Sequence, residues 1–253
     1  MYKFVQIAIF LMFSILWNSS KAQALFDVET GIVSTGYNDV RIPNNGGTFF
    51  SLKDDLNPKS KLFYRLRASY TLKSRVTISL LYAPLEMVSN GSLTKDIIFR
   101  NNTFAANNNI NAVYKFNSYR LTTRVNIINQ PKIIFGLGFT TKVRDAKISL
   151  SNSFISTEET SVGMVPIINF YFWRRIKDKF GLFLNGDALF ASRGRAADIH
   201  IAGTYKYSDN ITLRAGYRFL EGGSNGRVYG FALFHYGSVG ISYTINNKQQ
   251  NEI

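Results

Sequence analysis

The chain has 253 residues, no cysteine, and 30 lysines and arginines against 16 acids, a net charge of +14. Without cysteine there is no disulfide framework, so the fold rests on its own hydrogen bonds and packing. A surplus this basic would suggest nucleic acid in a soluble protein, but no recognition-helix pattern accompanies it, and nucleic acid is set aside.

Met1–Ala24 reads as a secretory signal peptide. Lys3 gives the positive start, Val5–Trp17 is an apolar run, and Ser19, Ser20, Ala22 and Ala24 are small residues suited to cleavage after Ala24 or after Ala22. The apolar run is shorter than the ~20 residues that span a bilayer. No later segment approaches that length, which leaves a soluble protein or a barrel. Removal of Lys3 and Lys21 lowers the surplus to +12. For an exported chain the matching partners are anionic lipopolysaccharide and outer-membrane lipid, or an anionic solute.

From residue 25 onward ten segments alternate apolar and polar residues with a period of two, the signature of strands with one greasy and one wet face. The first is Leu25–Tyr37, followed by a polar loop, Asn38–Lys59. The second, Ser60–Leu72, is the clearest: Leu62, Tyr64, Leu66, Ala68 and Tyr70 alternate with Phe63, Arg65, Arg67, Ser69 and Thr71. Lys73-Ser74 turns it into Arg75–Met87, and Val88–Ile110 follows as a loop in which Ile97-Ile98-Phe99 either extends the strand or forms a small hairpin. Asn111–Ile127 and Lys132–Ile148 come next, joined by Asn129-Gln130-Pro131. Ser149–Thr160 is a polar loop, and Ser161–Trp173 is a strand in which Pro166 implies a bulge or kink. Phe180–Phe190, Asp198–Lys206, Ile211–Leu220 and Val228–Ile245 complete the set, and Asn246–Ile253 is a polar tail.

The connections alternate long and short, as in an outer-membrane barrel with longer loops outside and tight periplasmic turns. The expectation is one domain over residues 25–245, an all-β, antiparallel, up-and-down transmembrane barrel of about ten strands. A soluble exported β-protein is the competing architecture. In these features the chain resembles the small outer-membrane β-barrels, the grouping of outer-membrane protein A-type and opacity-type chains. Two runs, Thr35–Pro43 and Leu220–Gly223 with Tyr229–Tyr236, resemble exported barrels without an assigned activity. The resemblance implies residence in the bacterial outer membrane and delivery by the barrel-assembly machinery. Such barrels usually end on an aromatic residue, whereas here Tyr243-Thr244-Ile245 is followed by eight further residues.

Alternation turns Arg65, Arg67, Arg120, Arg124, Lys142, Arg144, Arg214 and Arg218 inward, with Asp27, Glu29 and Asp187. A charge on the lipid face costs up to ~2–4 kcal/mol at the midplane, so a lumen is where these residues belong. Ten strands make a narrow barrel, nearer to the eight-stranded kind filled by side chains than to open porins. The leading expectation is therefore a structural or surface-interaction barrel with a largely plugged basic lumen. A narrow anion-preferring channel and an envelope lipid-modifying hydrolase are the alternatives. Acidic loop residues, Asp54, Asp55 and Asp198, are expected to fold inward against the surplus.

No cofactor or metal motif is present. For catalysis, His235 and Ser238 are close in sequence, but three residues along a strand put them on opposite faces unless Gly237 forms a bulge. An omptin-like protease would need acid pairs and an Asp–His pair at the outer rim. Asp39, Asp54, Asp55, Asp145 and Asp198 are rim or loop candidates, and Asp198 and His200 share a face, but a structural or cation-bridging role is the leading expectation for them.

Overall fold

The computed structural model describes residues 22–246, and among these every regular element is a strand. The expected signal peptide lies outside the described residues up to Lys21, and the tail lies outside them beyond Asn246. The first strand already runs through Gln23 and Ala24, the last residues of the expected leader.

The strands in chain order are β1 (Gln23–Arg41), β2 (Phe50–Ser51), β3 (Asn57–Pro58), β4 (Lys61–Leu72), β5 (Val76–Ala83), β6 (Glu86–Ser92), β7 (Ile97–Phe99) and β8 (Asn102–Phe104). They continue with β9 (Asn109–Gln130), β10 (Ile133–Ser151), β11 (Ser156–Lys177), β12 (Phe180–Ala191), β13 (Gly194–Lys206), β14 (Ile211–Asn225) and β15 (Tyr229–Asn246). Ten antiparallel staves form the wall: β1, β4, β5 continued by β6, and β9 to β15, each paired with its sequence neighbour. The wall closes where β1 pairs with β15, from Gln23 against Asn246 to Arg41 against Tyr229. Closure leaves no sheet edge to satisfy, which is what a strand protein needs in hydrocarbon. The chain is thus an all-β, ten-stranded transmembrane barrel.

The period of two sets the two faces. On β4, Leu62, Tyr64 and Leu66 are exposed outward while Phe63 and Arg65 are buried inward. The outward set continues around the wall through Leu80, Leu121, Phe139, Ile168, Ile201 and Ile241. Above this apolar belt the outward face turns ionic: Lys115 meets Asp145 at 2.7 Å and Lys147 meets Glu158 at 3.4 Å.

The loops differ from expectation. Among the described residues only two connections are long, 42–60 and 93–108, and they fold together. Their residues Phe50, Leu56, Ile97, Phe99 and Phe104 form a buried apolar cluster with Val40, Ile110 and Leu150 of the wall. Ile97–Phe99 is one arm of a loop hairpin, β7–β8. The expected loop over residues 149–160 is instead strand, since β10 and β11 pair out to Ser151 and Ser156. The stretch 191–197 shrinks to a turn at Ser192-Arg193. Polar residues here mark strands that have risen above the belt into water, where both faces are wet. At the other end Lys73 and Ser74 both have φ near +50°, the primed turn that matches strand twist.

Pro166 causes no bulge. It sits opposite Thr141 of β10, and the β11–β12 ladder ends at Ile168 opposite Ala188, two residues short of it. Gly237 forms no bulge either; the register shifts on that seam at Gly36, between Thr35 and Tyr37 of β1.

Candidate functional site in the lumen

Inside the barrel the side chains stack in layers. Nearest the turn end, β1 contributes Asp27 and Glu29, β4 Arg67 and Arg65, and β14 Arg214 and Arg218. Two residues further along β4 and β14 the inward positions become apolar, at Phe63 and Leu220, and on β1 four residues further, at Val33. Phe63, Leu220, Phe234, Tyr236 and Val33 form a second buried cluster. The loop cap lies beyond it. An ionic layer, an apolar layer and a cap therefore follow one another along the axis.

The ionic layer is strutted across the lumen. Arg65 donates to Asp198 at 2.9 Å, and Arg120 reaches both Asp187 and Asp198 at 2.6 Å. Arg218 donates to Glu29 at 2.8 Å through two nitrogens and also to Asp198. Arg214 forms an ion pair with Asp27, which accepts a further bond from Ser242 at 2.6 Å. Thr140 and Asn169 complete Asp187 with bonds of 2.8 and 2.9 Å. Taking charges this deep out of water costs several kcal/mol per ion unless each is paired; every ion of these struts has an ion partner, while Arg65 Nε and Arg214 Nε are buried without a hydrogen-bond partner among the described residues.

All eleven sequence-selected charges sit on wall strands at inward register positions, and the structure separates them into two groups. Asp27, Glu29, Arg65, Arg120, Asp187, Arg214 and Arg218 are joined in the struts. Arg67, Arg124, Lys142 and Arg144 form no ion pair with a described carboxylate. Arg124 lies 4.0 Å over the ring of Tyr171, Lys142 4.6 Å over that of Phe116, and Arg144 donates to Ser161 at 3.0 Å. Gly136 and Gly138 make room for Arg124: a Cβ on Gly138 would meet Thr123 O at 2.4 Å and the Arg124 Cα at 2.7 Å.

Three sequence expectations need correction. Asp198 is not a rim or loop residue; it is 3% exposed, on β13, and is the carboxylate that most arginines reach. Asp54 and Asp55 do not enter the lumen, since they stay in the cap, where Asp55 accepts from the Ser51 N–H at 2.7 Å. His200 is likewise a wall residue, 1% exposed. Its Nε2 is hydrogen-bonded to Ser238 Oγ at 2.9 Å, and its Nδ1 lies 3.8 Å from Glu29. His235 and Ser238 do face opposite ways, and His235 is bonded to Tyr217 instead. The signal for Asp198 and His200 was in the strand itself: Asp198, His200, Ala202 and Thr204 alternate with Ile199, Ile201, Gly203 and Tyr205.

Two cavities flank the layers. One of about 550 Å³ at the turn end is lined by Arg67, Arg124, Tyr171, His200 and strand hydroxyls. One of about 520 Å³ at the cap end is lined by Phe116, Lys142, Arg144, Val165, Leu189 and Phe234 among others. They share no lining residue.

No family model and no curated protein matches the chain. Solved structures do resemble it at low identity. The outer membrane protease OmpT from Escherichia coli has 11% identity and a TM-score of 0.49, over 90% of this chain and 98% of that one. The attachment invasion locus protein Ail of Yersinia pestis has 10% identity and a TM-score of 0.41, over 88% and 99%. An outer membrane channel from Pseudomonas putida F1 has 6% identity and a TM-score of 0.40, over 90% and 96%.

Proposed function

We propose that the protein is a resident outer-membrane barrel with a structural or surface-interaction role, that its basic lumen is plugged, and that it is not an enzyme. The observation that carries this reading is the strut set: Arg65, Arg120 and Arg218, from three different staves, all converge on Asp198. Side chains bridging the lumen at one height, with an apolar layer stacked on them, leave little room for a solute in a barrel of this size. The folded cap is then the surface presented outside, and partners would meet it rather than the lumen.

The hydrolase alternative has one arrangement in its favour, the sequence Ser238–His200–Glu29. Its carboxylate is held at 2.8 Å by Arg218 and stands 3.8 Å from the ring, so the ring lacks the close orienting bond that such a relay requires. We read the three as part of the ionic layer.

The test is fractionation followed by planar-bilayer recording. The protein is expected in the outer-membrane fraction, with a gel mobility that shifts on boiling because closed hydrogen bonding resists detergent. Purified protein is expected to give no steady conductance. Recovery as a soluble periplasmic protein would end the membrane reading; large stable currents would end the plugged one.

A further inference from the structure

The wall is not evenly zipped. The β11–β12 ladder ends at Ile168 opposite Ala188, yet both strands continue toward the cap. Beyond that point Leu189–Ala191 pair only with β13, and Ser156–Ile167 pair only with β10. Pro166, with no N–H to donate, stands at the start of the gap. The flanks are strongly apolar and open: Phe190 is 74% exposed and Met164 72%. Ile168 is level with Phe139 and Met164 with Val143, both outward apolar residues. At ~3.3 Å per residue, roughly 13 Å of this gap therefore lies within the lipid-facing belt.

Behind the gap is the cap-end cavity, whose volume of about 520 Å³ falls within the ordinary range of small-ligand pockets. Its charge is unbalanced. The carboxylate of Glu159 is already engaged by Arg100 and Arg227, and that of Glu221 by Arg195. Lys142, only 4% exposed, has no carboxylate partner among the described residues, and Arg144 has a buried Nε without a hydrogen-bond partner among them. The same cavity is lined by Val165, Leu189, Leu220 and Phe234. Buried cations are costly unless something of opposite charge meets them. In the β10–β11 ladder Lys142 lies opposite Val165 and Arg144 opposite Gly163, so the two unmatched cations stand one stave from the lipid-level opening, with apolar side chains lining the same cavity.

We propose that this cavity binds an amphiphilic anion: a single alkyl chain bearing a phosphate or carboxylate head, with the head on Lys142 and Arg144 and the chain leaving through the gap between β11 and β12. The proposal rests on the membrane-embedded reading, but not on the absence of conductance or of catalysis.

The experiment is equilibrium binding of radiolabelled dodecyl phosphate to the full barrel in nanodiscs, with empty discs as background. The wild type is expected to show a saturable component that dodecanol does not compete for and that inorganic phosphate competes for only at 100-fold higher concentration. Lys142→Met with Arg144→Met should weaken binding at least tenfold, Leu189→Trp should abolish it by filling the cavity, and Arg67→Met in the other cavity should change nothing. The boiling-dependent gel shift of each variant separates loss of the site from loss of the barrel. Equal competition by dodecanol would overturn the role of the cations, and equal competition by inorganic phosphate that of the chain. No saturable binding to a barrel that keeps its gel shift, or binding unchanged in the Lys142 and Arg144 variant, would overturn the proposal outright.

Discussion

Arg65 of β4 meets Asp198 of β13 at 2.9 Å although 133 residues separate them and three staves stand between their strands around the wall. The bond spans the lumen rather than running along it. Because Arg120 and Arg218 share the same carboxylate, Asp198 holds together staves on opposite sides of the barrel.

Asp198→Asn should therefore be costly. It leaves three guanidinium groups around a neutral amide, and removing one member of a buried ion pair typically costs about 3–5 kcal/mol. Asp145→Asn makes a control, because its pair with Lys115 is about one-third exposed and such pairs contribute only ~0–1 kcal/mol. Urea unfolding of each variant from phospholipid vesicles measures the difference. Similar midpoints for the two would show that the struts do not stabilise the barrel.

Facing is tested on adjacent residues. Leu66 is 44% exposed on the outer face and Arg67 lines the turn-end cavity. Leu66→Arg puts a charge in hydrocarbon, costing up to ~2–4 kcal/mol near the midplane. Arg67→Leu removes a cation that has no carboxylate partner. The first variant should assemble poorly and the second normally, as read from the folded fraction on unboiled gels. Equal yields would reject the assignment of faces.

Much of this was legible in the sequence because the period-two rule needs no tertiary information. The ten staves and the inward Asp27, Arg65 and Arg218 follow from it. What stayed hidden follows from what that rule omits. Alternation distinguishes inside from outside but not height, so the change of the lumen from Arg65 to Phe63, and from Arg218 to Leu220, went unread. The rule also treats polar residues on both faces as loop, which mistook the upper parts of β10 and β11 for a connection. The alternating run begins at Asp198, which places that residue at the rim, whereas β13 starts four residues earlier, at Gly194. The mutual packing of the two long loops depends on contacts such as Thr48 N–H to Ile98 O at 2.9 Å, which no local pattern reveals.

The cap should loosen independently of the wall. Phe99 and Phe104 are fully buried in its cluster, and truncating a buried Phe to Ala typically costs about 3–5 kcal/mol. Those contacts lie above the apolar layer, so the loss falls on the loops. Phe99→Ala with Phe104→Ala should make residues 42–60 and 93–108 sensitive to protease on intact cells while the gel shift on boiling is retained. Loss of the shift would mean that the cap is needed to hold the barrel together.

The proposed plug can be dismantled without altering the charge balance. Removing Arg65 together with Asp198 takes away one base and one acid, and Phe234→Ala removes a ring from the layer above. Arg67, Arg124, Lys142 and Arg144 remain, still without carboxylate partners, and they line the two cavities that the opening would join. An ion passing between those cavities meets a net positive wall, which raises the local concentration of anions and repels cations. The triple variant Arg65→Ala, Asp198→Ala, Phe234→Ala, once shown by its gel shift to be folded, is expected to conduct in planar bilayers where the wild type does not. Its reversal potential in a salt gradient should fall on the anion side. A cation-selective current would contradict the charge surplus assigned to the lumen, and a silent but folded variant would place the barrier in the cap rather than in the struts.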